Sequence, residues 1–294
     1  MQKTVKNGKY WTILNTLNWT TDYFKKKKIS TPRLDAEVLL AHALKTDRVS
    51  LYTNFEKLLR PEELKIFKEL IIRRTKREPA AYIIGKKEFW SMEFEVNKFT
   101  LIPRPETEIL IETAIKILKN NAHNKVLELG TGSGVIAVTL AKEIEDIIVF
   151  AVEFSYKTIK IARKNAILND VEKKIKFIIS DFFSCIKENG NKFDLIISNP
   201  PYIAIGEWES LPPEVTKYEP RDALLGGEDG LKNFRTILAK AKNYLDHRGW
   251  LILEIGESQK EAIKDILETE KSYKFSEIVK DYSGKDRVIV ARRI

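Results

Sequence analysis

The chain has 294 residues, 43% hydrophobic and 32% charged; the length suits two domains, and the composition excludes collagen-like and wholly disordered chains. Lys and Arg number 51 against 42 Asp and Glu, a net charge of +9, and the whole excess lies in residues 1–100, where 21 basic side chains meet 12 acidic ones. No apolar run approaches the roughly 18 residues of a membrane span, and a lone Cys185 excludes an internal disulfide. The opening MQKTVKNGKYWTILNTLNW lacks a secretory apolar core and cleavage site, so the expectation is a soluble cytoplasmic protein.

Trp11, Leu14, Leu17 and Phe24 fall near a helical period, which predicts a helix over residues 11–24. Ser30 or Thr31 before Pro32 is a helix start, and Val38, Leu39 and Leu44 continue an apolar face. Pro61 opens another helix, with Glu62 and Glu63 favoured in its first turn by the helix dipole and Leu64, Phe67, Leu70 and Ile71 inside. These elements predict a small helical bundle over residues 1–75. Its charge excess includes the lysine run 25–28 and the cluster Arg73, Arg74, Lys76 and Arg77. It fits an acidic or nucleic-acid partner, and equally a solvated face.

Pro79 ends the helical pattern, and Gly85 offers a turn between β-like segments at 81–84 and 89–96, read as a β-hairpin linker over residues 76–100. The prolines of LIPRPETE (101–108) stiffen a loop that leads into a helix from about Thr107. From Lys125 onward strands alternate with helices. Strands are expected at 126–129, 147–153, 175–180, 193–198 and 250–255, and helices at 134–145, 155–168, 230–245 and 259–269. This order predicts an α/β domain over 101–294, a parallel sheet covered on both faces. A hairpin formed by 273–280 and 288–291 would close the sheet edge.

ELGTGSG (128–134) joins the first of those strands to its helix, and its glycines let the backbone turn tightly and approach a ligand. The G-x-G-x-G spacing is neither a dinucleotide fingerprint nor a P-loop, and alone it also fits a plain turn. Glu153 ends the second strand, placed to accept from both ribose hydroxyls of an adenosine-containing cofactor. Asp181 ends the third, placed to accept from an adenine amino group, with Phe182 against the ring. Counting Glu128, three acids at consecutive strand ends point to a nucleoside-type cofactor. Asn199, Pro200, Pro201 and Tyr202 then follow the fourth strand, again at a carboxyl end.

Residues 125–202, with that glycine loop, the strand-end acid and NPPY, resemble class I S-adenosylmethionine-dependent methyltransferases. EPAAYIIGKKEFW (78–90), LIPRPETE, EPRDALLGGEDGL (219–231) and EIGESQ (254–259) resemble the HemK/PrmC family over nearly the whole chain. The resemblance implies a Rossmann-like catalytic domain, a small helical N-terminal domain and S-adenosylmethionine as cofactor, and the basic charge of that helical domain suits it to docking the substrate. It also implies methylation of N5 of the glutamine in the Gly-Gly-Gln motif of class I peptide chain release factors. Gly130, Thr131, Gly132, Ser133 and Gly134 would wrap the methionine part of the cofactor. Glu153, where many relatives have Asp, would hold the ribose, and Asp181 and Phe182 would frame the adenine. Asn199, which also borders the cofactor, would bind the target glutamine together with Pro200, Pro201 and Tyr202.

The chemistry is consistent with those roles. An amide nitrogen is a poor nucleophile because its lone pair is delocalised. The Asn199 side-chain carbonyl and the Pro200 main-chain carbonyl could each accept one amide N–H and fix the nitrogen for in-line attack, with Tyr202 against the flat amide. No metal is expected, since His42, His123, His247 and one Cys make no ligand cluster. Arg104, Glu106 and Thr107 stay open between a place over the pocket and, for Arg104, an ion pair with a nearby acid. NPPY does not by itself separate glutamine from adenine, so the rivals are an adenine-N6 methyltransferase of DNA or RNA and a methyltransferase of a ribosomal-protein glutamine. A helical domain of about 75 residues without a nucleic-acid module argues against the first. The expected partner is a release factor, with no membrane, no stable nucleic-acid partner and a monomeric chain.

Overall fold

In the computed structural model, residues 11–119, 124–188, 190 and 192–294 are described; His123 and the first ten residues, read above as part of a non-secretory opening, lie outside them. The described residues up to Gly85, with Pro212–Tyr218, form one unit, and Lys86–Leu211 with Glu219–Ile294 form the other.

In the first unit, α1 (Ile13–Lys26) starts where the Thr12 hydroxyl accepts the Asn15 N–H, and α2 (Pro32–Leu44) starts on a proline. Asp47 caps α3 (Arg48–Thr53), and α4 (Pro61–Thr75) again opens on proline, whose missing N–H is not needed in a first turn. Leu17, Phe24, Leu39, Leu40, Leu51 and Phe67 bury a common core. The basic cluster near residue 75 is not a free face. The buried Arg74 donates to Asp35 at 2.6 Å and to Glu214 at 3.1 Å, Arg77 also reaches Glu214, and Arg73 pairs with Glu78. A guanidinium removed from water needs carboxylates around it, so the charge of these three arginines is consumed inside the unit, while Lys76 stays exposed. Lys25, Lys26, Lys27 and Lys28 remain exposed.

The strand expected at 81–84 is instead the helix α5 (Ala80–Ile84), ended by Gly85 at φ +79°. So short an apolar run carries no period that separates strand from helix, and its two alanines favour helix. The hairpin follows in the second unit, with β1 (Lys86–Phe89) paired antiparallel to β2 (Met92–Glu95). Trp90 and Ser91 both take positive φ, as the two-residue turns that match strand twist require.

That unit continues with α6 (Thr107–Leu118), β3 (Asn124–Leu129), α7 (Val135–Glu143), β4 (Ile147–Glu153), α8 (Tyr156–Leu168), β5 (Ile175–Ile179) and β6 (Phe193–Ser198). After the short helix α9 (Pro213–Tyr218) of the first unit come α10 (Lys232–Ala241), β7 (Leu245–Glu254), α11 (Lys260–Glu270), β8 (Tyr273–Lys280) and β9 (Asp286–Arg293). The sheet order is β5-β4-β3-β6-β7-β9-β8, with every strand in one direction except β9, which runs antiparallel to both of its neighbours. Both faces are covered. Val126 and Val149 pack with α6 and α7, while Leu127 and Val152 pack toward α10 and α11, so these strands read as continuous apolar runs.

The helix expected at 230–245 stops at Ala241, and Leu245 already belongs to β7. Asp246, His247, Arg248 and Gly249 look like a loop in sequence. They remain in the strand because the β6–β7 register shifts between Phe193 and Leu195. Among the described residues no helix is long and apolar enough to cross a membrane, and no group of three or more His, Cys, Asp or Glu could hold a metal ion.

Candidate active site

The chain runs outward from β3 through β4 to β5, then returns to β6 on the other side of β3. The carboxyl end of β3 is therefore the place where strand order reverses. Register sets Leu129 level with Val152 on one side and Ser198 on the other, and the Ser198 hydroxyl donates to the Leu129 carbonyl at 2.7 Å. The glycine loop and NPPY thus leave adjacent strands at the same height.

The loop stands on the end of β4, where the N–H groups of Gly130 and Thr131 both donate to the Val152 carbonyl. Gly130 and Gly132 have φ of +75° and +56°, and a Cβ at either would meet nothing within 4 Å. They border a cavity of about 610 Å³ that also touches Thr131, Ser133, Glu153, Asp181, Phe182 and Asn199. Its size, its open glycine cradle and its strand-end carboxylates suit an adenosine bearing an amino-acid arm.

Glu153, 6% exposed, accepts the Gly132 N–H at 3.1 Å and the Ser155 N–H at 3.0 Å, one on each oxygen. Burial raises its pKa, and those two N–H groups work against the rise. Glu128 is fully buried under the loop, holding the Thr131 hydroxyl at 2.6 Å, and burial pushes it up to about 7. Phe182 borders the cavity at φ +45°, a conformation costing a bulky residue about 1–2 kcal/mol.

Several expected residues stand elsewhere. Gly134 does not line the cavity; it caps α7 at φ +86°, and a Cβ there would lie 3.1 Å from the Ala162 Cβ. Its glycine answers to backbone conformation and helix packing. Pro201 lines the cavity, whereas Pro200 and Tyr202 do not. The Tyr202 side chain turns away from an expected place against a target amide. It packs on the α10 face of the sheet, with its hydroxyl 3.5 Å from Glu254 Oε1. Burial, with Glu254 close by, holds its phenol well above the usual tyrosine pKa.

Backbone carbonyls of the motif are sorted by their partners. Pro201 O accepts from Asn233 Nδ2 at 2.7 Å and Tyr202 O from Gln259 Nε2 at 2.9 Å. Among the described residues none donates to Pro200 O or to Asn199 Oδ1. Asn199 Nδ2 donates to Thr107 Oγ1 at 3.2 Å, and Thr107 donates to Glu254 Oε2 at 2.7 Å. Burial pushes Glu254 up to about 7.

Both alternatives left open for Arg104 are realised: it borders the cavity and pairs with Glu219 at 2.6 Å. Glu219 also accepts the Ile102 N–H, which pins the LIPR loop from beneath. Thr107 borders the cavity as well, and Glu106 does not. Glu219, Glu254 and Gln259 lie in segments that carry the family resemblance, but no local sequence signal marks them as part of the site.

Residues 15–85 match the family model for the PrmC N-terminal domain, and residues 106–210 match that for the methyltransferase small domain. The release factor glutamine methyltransferase of Rhodopirellula baltica is 39% identical over 287 residues, covering 96% of this chain and 97% of its own. That of Geobacter sulfurreducens is 41% identical over 282 residues, with 96% and 97% covered. A solved structure of the hMettl16 catalytic domain with the MAT2A 3′UTR hairpin 1 superposes with a TM-score of 0.56 at 16% identity. It covers 82% of this chain and 84% of that one, a likeness of fold alone.

Proposed function

The chain belongs to the release factor glutamine methyltransferase family, and on that premise we propose that it moves a methyl group from S-adenosylmethionine to N5 of the glutamine in the Gly-Gly-Gln motif of class I release factors. The observation that carries the reading is the meeting of Asn199 with the open glycine loop on one cavity at the strand-order reversal.

When bound, S-adenosylmethionine supplies a methyl group on a positively charged sulfur. Gly130, Thr131, Gly132 and Ser133 would border its amino-acid arm. Glu153, already fixed by two backbone N–H groups, would turn its remaining lone pairs to the ribose hydroxyls. Asp181 and Phe182 would border the adenine. Asn199 Oδ1, which has no donor among the described residues, would take one N–H of the target amide, and Pro200 O, also without a donor there although Pro200 does not line the cavity, is the motif carbonyl left for the second. Holding both hydrogens would fix the amide plane and, with it, the direction of the nitrogen lone pair perpendicular to that plane, so the gain comes from orientation rather than from a base. The proton is lost after the nitrogen is alkylated.

Purified release factor incubated with labelled S-adenosylmethionine tests this. A one-methyl mass increase on the Gly-Gly-Gln glutamine is expected. It should be absent when that glutamine is alanine and lowered by about 100-fold or more with Asn199→Ala enzyme. Transfer to DNA, RNA or a ribosomal protein, with none to the factor, would reject the substrate and leave the fold standing.

A further inference from the structure

Asn199 can accept a target N–H only if its oxygen, and not its nitrogen, is turned to the cavity. The two ends of a side-chain amide have nearly the same shape and opposite hydrogen-bond sense, so something must select between them. We propose that Thr107 and Glu254 are positioning residues that set which end of the Asn199 amide is presented to the target. The inference rests on the reading that Asn199 binds the target amide.

The selection follows from counting hydrogens. Thr107 has one hydroxyl hydrogen, and it goes to Glu254 Oε2 at 2.7 Å. A carboxylate only accepts, so nothing can reverse that bond while Glu254 is ionised. With its hydrogen committed, Thr107 Oγ1 can only accept from Asn199, 3.2 Å away. The amide nitrogen must therefore face Thr107, and Oδ1 must face away from it. A flipped amide would set oxygen against oxygen at a site where Thr107 is 3% exposed and Glu254 1% exposed, at the cost of an unsatisfied buried group.

Protonating Glu254 removes the constraint. A carboxylic O–H can donate to Thr107, which frees the Thr107 hydrogen for Asn199 and lets either end of the amide face it. The surrounding charges act in both directions. Arg287 on β9 favours the ionised form, Glu106 before α6 opposes it, and the Tyr202 hydroxyl approaches Oε1. Arg104 lies near Tyr202. Burial dominates and sets the change near pH 7. Because the ionised form does the selecting, turnover falls as pH drops through that value.

The test compares wild type, Thr107→Val, Thr107→Ser and Glu254→Gln for turnover across about pH 6–9, with cofactor affinity measured separately by calorimetry. Thr107→Val keeps the shape and removes the hydroxyl. It should lose about 10- to 100-fold in kcat at pH 8 with unchanged cofactor affinity, and Thr107→Ser should recover most of the loss. Glu254→Gln carries no titrating proton and should abolish the acid limb near pH 7, whatever its level of activity. The side-chain amide resonances of Asn199, in 15N-labelled protein without substrate, should titrate near pH 7 in wild type and stay flat in Glu254→Gln. Wild-type turnover in Thr107→Val, or an acid limb that survives Glu254→Gln, overturns the proposal. Undiminished methylation by Asn199→Ala would instead overturn the reading of the site, which keeps the two failures apart.

Discussion

Glu128 carries no part of the proposed chemistry, yet it shapes the pH dependence of the fold. Its carboxyl is fully buried and accepts the Thr131 hydroxyl at 2.6 Å, and burial raises its pKa from 4.5 to about 7. A carboxyl whose pKa is raised by folding favours the fold below its unfolded value, and that contribution is lost as pH climbs through the folded one. Wild type and Glu128→Gln should therefore be close in stability near pH 4.5 and separate by about 3 kcal/mol, in favour of Gln, at pH 8. Urea unfolding at the two pH values, followed by tryptophan fluorescence, measures this; parallel behaviour would reject it. Glu153 makes the opposite case, since its two oxygens hold the loop and the start of α8. Glu153→Ala should weaken S-adenosylmethionine binding by about 2–3 kcal/mol in calorimetry, the range for hydrogen bonds to a charged group. In sequence both acids count among the strand-end carboxylates, and only Glu153 is given a specific contact there, the ribose hydroxyls. Glu254 and Glu219 look like ordinary surface acids in sequence, and only folding buries them beside Thr107 and Arg104.

The loop between β3 and α7 contains three glycines that the sequence treats alike and the fold does not. At Gly132 an added Cβ enters open cavity, while at Gly134 it meets Ala162 on α8. Gly134→Ala should cost about 2–4 kcal/mol of stability, from the left-handed backbone together with overpacking. Gly132→Ala should cost only about 1–2 kcal/mol and act mainly by weakening cofactor binding. Thermal unfolding and calorimetry on both variants separate the effects, and equal losses in both measurements would contradict the assignment. The strands at 147–153 and 193–198 form where their apolar runs predict them, and the one at 273–280, a half-exposed edge strand, forms where its strand-like pattern predicts it. Strands buried on both faces need no alternation to be recognised. Short elements fared worse: α3, α5 and α9 each have six residues or fewer, less than two turns, so no period could reveal them.

For the whole molecule, the net charge of +9 gives a misleading picture of which cations are available to a partner. Pro212–Tyr218 leaves the catalytic unit to join the helical one, and its Glu214 meets Arg74 across 140 positions of chain. No local pattern announces such a pairing. Arg74→Ala would leave the buried Asp35 without its cation and Glu214 with Arg77 alone, and it should destabilise the helical unit by about 3–5 kcal/mol. Its loss of activity would then reflect unfolding, not binding. The exposed lysines at 25–28 are the proper probe of docking, because replacing them touches no buried pair. Changing all four to Glu should move stability by no more than about 1 kcal/mol. If the basic unit grips the body of an acidic substrate, the same change raises KM for whole release factor and leaves a Gly-Gly-Gln peptide unaffected. The difference should shrink as salt screens the exposed charges. Equal KM values for the intact factor before and after the change would remove this run from the docking surface, and the excess charge would then be a solvated face.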